Sequence, residues 1–156
     1  MKKYTGAMVL GLHDALVEFI GMIVGLSVAL TDSRLVLSTV IIAGVTASMS
    51  MGAANYLAQK TDGNPDAATA GIYTGAAYLA TVALLLAPFA ILPADRLMEA
   101  LALMIATAVS IILSFNFYIS VVQSRPFMKN FLEMLAVCFT VSLVAFGIGQ
   151  AVKLFL

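Results

Sequence analysis

Charge is scarce in this chain. Of 156 residues, eight are Lys or Arg and eight are Asp or Glu, so the formal charges cancel. That balance supplies neither a basic surface for nucleic acid nor an acidic tail, and no nucleic-acid partner is expected. Cysteine occurs once, at Cys138, which excludes an internal disulfide and any paired-cysteine zinc spacing. No P-loop, dinucleotide fingerprint or G-x-S-x-G elbow is present, and no nucleophile is paired with a base within one segment. A resident cofactor and an enzymatic activity are therefore not expected. What the chain has in abundance is apolar surface: 62% of its residues are hydrophobic, only 10% are charged, and the mean hydropathy is +1.06. Soluble domains are nearer half apolar and about a quarter charged. This composition predicts an integral membrane protein.

A membrane-spanning helix needs about 20 mostly apolar residues. The chain divides on that rule into five spans, at residues 7–30, 35–58, 68–92, 98–122 and 129–155, in one transmembrane domain covering residues 1–156. The expected fold class is all-α, with five transmembrane helices. Polar punctuation separates the spans: "LTDSR" (30–34), "QKTDGNPDAAT" (59–69), "LPADR" (92–96) and "QSRPFMKN" (123–130). Asp32 or Ser33 is suited to cap the second helix and Asp66 the third. Pro88 falls inside the third span, where neighbouring helices can compensate the backbone hydrogen bond it removes. Lys2 and Lys3 precede the first apolar run, as in a leader peptide, but acids interrupt that run and no A-x-A site follows it, so it reads as a span. A cytoplasmic N-terminus puts Lys2, Lys3, Lys60, Arg125 and Lys129 on the inner side against Arg34, Arg96 and Lys153 outside, a modest bias toward that orientation.

The first span, "GLHDALVEFIGMIVGLSVAL" (11–30), contains acids that hydrocarbon disfavours. An aspartate at a helix centre costs roughly 2.5–3.5 kcal/mol on insertion scales, so an intramembrane acid is a functional candidate by default. Asp14, Glu18 and Met22 recur every four residues and so share one helix face. Two carboxylates and a thioether form a mixed hard and soft donor set for a divalent cation. The alternative is that both acids lie near the membrane surface and are solvated. His13, about 100° around the helix, is as well suited to a hydrogen-bonded packing role as to ligation. Gly21 and Gly25 form a small-xxx-small pair that lets another helix approach. In the second span Ser48, Met51, Asn55 and Gln59 form a polar, sulfur-bearing stripe among Gly44, Ala47, Gly52, Ala53 and Ala54. The weaker stripes Thr74–Tyr78–Thr81 and Thr107–Ser110–Ser114–Tyr118 suggest interhelical hydrogen bonds rather than a path. Glu133, at the start of the fifth span, reads as interfacial.

"GLHDALV" (11–17) resembles the G-[LI]-x-D-[GA]-L-V opening of the vacuolar iron transporter family. "SMSMGAANYLAQK" (48–60) is similar to that family's second-helix motif S-M-x-x-x-E-Y-[LV]-S, and "SRPFMKNFLEM" with "AFGIG" resembles its last loop and fifth helix. The resemblance implies a five-helix subunit in a homodimer of ten helices. It also implies proton-coupled movement of ferrous iron, and of manganese, out of the cytoplasm along a path between first and second helices. The family's first-helix aspartate falls on Asp14, its methionine on Met51 and its second-helix glutamate on Asn55. Asn55 is a departure, because an amide neither carries charge nor releases a proton; Glu18 is the available substitute carboxylate. The glutamate-rich cytoplasmic domain of plant-type members has no counterpart in the short 59–69 loop, as in small prokaryotic-type members of a cell membrane. Asp62 and Asp66 are then the only acids near the mouth, and both read as ordinary loop residues. Asp14, Glu18, Met22, Ser48, Met51 and Asn55 are thus the candidate metal-path residues. The implied partners are divalent metal ions, protons, the lipid bilayer and a second copy of the chain, with the metal as cargo. Carboxylates crowded around a dimer axis would exchange protons for the arriving cation.

Overall fold

The structure is a computed structural model that describes residues 4–30, 32–124 and 126–155. Lys2, Lys3 and Arg125, which contribute to the orientation argument, lie outside the described residues. All regular structure among the described residues is helical: α1 (Thr5–Ala29), α2 (Ser33–Thr61), α3 (Ala67–Ile91), α4 (Leu97–Gln123) and α5 (Phe127–Lys153). Each is long and apolar enough to cross a membrane. The helix ends depart from the spans read in the sequence by one to three residues. At 1.5 Å per residue these helices run to about 40 Å, longer than a hydrocarbon core of about 30 Å, so their polar ends reach the interface.

The connections explain where the helices stop. Asp32 caps α2 by accepting a hydrogen bond from the Arg34 amide at 2.8 Å. The neighbouring Ser33 hydroxyl donates to the Ala94 carbonyl at 2.9 Å and fastens the start of α2 to the α3–α4 connection. Between α2 and α3 the chain reverses at Gly63, whose φ of +73° suits a residue without Cβ. Asn64 closes that turn by donating to the Gln59 side chain at 2.7 Å. Helix α3 continues through Pro88, which is buried.

α1 is the hub of the bundle and touches all four other helices. Its core face, with Leu16, Phe19 and Ile23 fully buried, meets Val36 and Val40 of α2 and Tyr78, Val82 and Leu85 of α3. Helices α2 and α3 form the most intimate pair, and α5 lies along the opposite side of α1. Close approach depends on glycine. A Cβ on Gly71 would lie 2.7 Å from the Gly52 carbonyl oxygen, and one on Gly11 would overlap the Thr74 carbonyl oxygen. The Gly21–Gly25 pair works as its spacing suggests: α5 packs there, and a Cβ on Gly149 would fall 2.5 Å from the Gly25 carbonyl oxygen. Outward positions such as Ile42, Met49, Phe139 and Leu143 are exposed apolar side chains, which suits a bundle whose solvent is lipid.

Candidate functional site

The acid-bearing face of α1 looks partly toward α3 and partly toward a cleft beside α5. Asp14 and Glu18, one turn apart, lie within electrostatic reach of each other. Glu18 is exposed, and its carboxylate accepts a hydrogen bond from the Tyr78 hydroxyl of α3. Tyr78 is itself fully buried, with its ring set edge-on to Phe19 at 5.8 Å. A rigid phenol rooted in the core therefore fixes one oxygen of an otherwise mobile carboxylate. Asp14 is partly buried and lines an open cleft of about 540 Å³ with His13, Val17 and, from α5, Met134 and Val137.

His13 belongs to that cleft and to an adjoining one of about 560 Å³. Asn116, Asn130 and Glu133 also line the second cleft. The His13 Nε2 atom is buried without a hydrogen-bond partner among the described residues, while its ring stands edge-on to Phe115 at 5.6 Å. The sequence alone leaves His13 and Glu133 unrelated; α5 packing along α1 brings them to one space.

The α2 stripe is used differently. Asn55 is 8% exposed, and its amide nitrogen donates to the Thr74 hydroxyl at 2.6 Å and, at 3.4 Å, to the Ala70 carbonyl. The Thr74 oxygen lies 3.0 Å from both the Ala7 and the Ala70 carbonyls, so this one hydroxyl joins α1, α2 and α3. Ser48 is buried against α3 and bonds its own helix at the Val45 carbonyl, 2.8 Å away. Met51 and Met22 are partly buried and pack on the core. Within the chain, then, Asp14 and Glu18 come together, whereas Ser48 and Asn55 turn to α3. Among the described residues, no three His, Cys, Asp or Glu side chains are grouped to hold an ion.

Tyr78 and Thr74 are partners that the sequence shows only as members of a generic polar stripe. Their four-residue spacing is visible there, but their targets on α1 and α2 are not. In α4, Thr107 and Ser110 satisfy their hydroxyls on carbonyls of their own helix at 2.9 and 2.8 Å.

Residues 5–64 match the model of the VIT family, the vacuolar iron transporters. The match spans α1, α2 and the turn after them, and so includes Asp14, Glu18, Met22, Ser48, Met51 and Asn55. Over α1 and α2 the chain is thus similar to the VIT family, and it has five helices long and apolar enough to cross a membrane. None of the curated proteins compared with the chain matches it.

Proposed function

We propose that this chain moves divalent transition-metal cations, ferrous iron and also manganese, out of the cytoplasm in exchange for protons. Two copies would pair so that α1 and α2 of each line one path, with the N-terminus on the cytoplasmic side. The observation that carries this reading is the pair of carboxylates, Asp14 and Glu18, on one face of a spanning helix inside the VIT-matched segment. One subunit offers too few hard donors for a complete site, and a second copy doubles them to four carboxylates. Each arriving cation would replace protons held among those carboxylates, which is the elementary step of an antiporter. Met51 and Met22 add thioethers that favour ferrous iron or manganese over calcium and magnesium. Tyr78, by holding Glu18, would keep one carboxylate aimed while the other receives the ion.

A second reading draws support from Asn55. The resemblance places a glutamate there, yet this chain has an amide whose nitrogen is engaged by Thr74 in the subunit interior. A relative that retained the fold but binds metal without carrying it would look like this. Liposomes loaded with a metal-sensitive dye and a pH dye separate the two. Metal entry with opposite proton movement, lost in Asp14→Asn, is the expected result. Metal entry that ignores the proton gradient would indicate a channel. No entry by the native chain, restored in Asn55→Glu, would establish the binding relative.

A further inference from the structure

Two buried side-chain polar atoms lack a hydrogen-bond partner among the described residues: His13 Nε2, in the site above, and Ser27 Oγ at the far end of α1. Several serines and threonines in these helices donate to a carbonyl one turn back, as Thr81 and Ser142 do at 2.8 and 2.7 Å. Ser27 is 3% exposed and does not. A buried hydroxyl left unpaired is costly, and the unmatched atom calls for an outside partner.

Ser27 lines a cleft of about 430 Å³ formed by the end of α1, the start of α4 and the end of α5. Arg96, Lys153, Asp95 and Glu99 stand around the same cleft, two cations and two carboxylates, with Arg96 and Glu99 paired at 3.2 Å. Phe146 forms part of this cleft and also of a second, apolar groove of about 370 Å³. That groove runs between α4 and α5 over α1, along Val24, Val109, Phe139 and Leu143. From Arg96 to Val109 the helix rises about 20 Å, enough to traverse a hydrocarbon leaflet of about 15 Å. The seam thus has a charged mouth at the membrane surface, a buried hydroxyl just beneath it, and an apolar channel below. That order of chemistries is the order along a phospholipid.

We propose that this seam binds one phospholipid per chain. Its phosphate sits between Arg96 and Lys153, an ester or phosphate oxygen accepts from Ser27, and an acyl chain lies in the groove between α4 and α5. Because carboxylates equal cations at the mouth, the headgroup is zwitterionic with a free ammonium, as in phosphatidylethanolamine, rather than purely anionic. The site lies outside the VIT-matched residues except for the α1 residues that line it, such as Ser27 and Val24, and it stands whether or not the protein transports metal.

The test is native mass spectrometry of the detergent-purified protein, offered phosphatidylethanolamine or phosphatidylglycerol at equal concentration. One phosphatidylethanolamine retained per chain, several-fold over phosphatidylglycerol, is expected. Lys153→Glu and Leu143→Trp, both at exposed positions that leave the core intact, should each lower retention several-fold, by reversing a headgroup charge and by filling the groove. Ser27→Ala should weaken binding about five-fold, the loss of one neutral hydrogen bond. Equal retention of both lipids would overturn the headgroup assignment, and retention indifferent to both Lys153→Glu and Leu143→Trp would overturn the site. Metal flux in the same variants separates this outcome from failure of the transport reading.

Discussion

Thr74→Val is the substitution that most directly probes how this bundle is held together. Threonine and valine have nearly the same shape, so the change removes a hydroxyl and little else. Thr74 is fully buried and Asn55 is 8% exposed, so water does not readily replace what is lost. The Asn55 amide forfeits its 2.6 Å acceptor and keeps only the 3.4 Å approach to the Ala70 carbonyl. The Ala7 carbonyl of α1 loses its 3.0 Å neighbour as well. Interhelical hydrogen bonds in membranes average about 0.6 kcal/mol, whereas an orphaned buried donor costs about 1–3 kcal/mol. Because a donor is stranded here, Thr74→Val should cost about 2 kcal/mol. Asn55→Ala, which strands no donor, should cost about 1 kcal/mol. The two together should cost about 1 kcal/mol less than their sum, since the second change removes the group the first one stranded. Reversible unfolding in mixed micelles, followed by circular dichroism against the fraction of denaturing detergent, measures all three. If Thr74→Val changes stability by less than about 0.5 kcal/mol, or if the two substitutions simply add, Thr74 is not the junction described.

Gly71→Ala should destabilise the bundle by more than about 1 kcal/mol in the same titration, since its Cβ would press on the Gly52 carbonyl and on Tyr56. Gly147→Ala, whose Cβ would meet nothing within 4 Å, should be neutral or stabilising by up to about 1 kcal/mol from helix propensity alone. Tyr78→Phe should leave the fold intact but lower metal affinity several-fold in a binding titration, because Glu18 loses the donor that holds it; unchanged affinity would remove Glu18 from the path. Asp32→Ala should cost about 1 kcal/mol through loss of the α2 cap, with no effect on metal flux.

Several features are legible in the order of amino acids alone. Apolar run lengths locate the five helices to within three residues, since spanning hydrocarbon is a demand each segment meets by itself. The four-residue spacing puts Asp14 and Glu18 on one face, and "GMIVG" marks a surface for close helix packing, which α5 occupies. The α2 stripe shows where such reasoning stops. Its period joins Ser48 and Asn55 correctly, but nothing in the period says whether that face meets α1 or α3. His13 and Glu133 are 120 residues apart in sequence, and no local pattern links them.

Sequence by itself therefore determined the membrane setting, the number and extent of the helices, and the angular grouping of side chains within each one. These follow from transfer free energy and the helical period, both local properties of the chain. Tertiary structure alone decided which faces meet: Glu18 with Tyr78, Asn55 with Thr74, His13 with Glu133 across a cleft, and Ser27 beneath a charged mouth. The facing sides of α1, α2, α3 and α5 are set by backbone contacts at Gly11, Gly71 and Gly149, which join residues far apart in the chain. Hydrocarbon on all sides gives an apolar helix no preferred inward face, so in this protein close packing chooses what hydrophobicity leaves open.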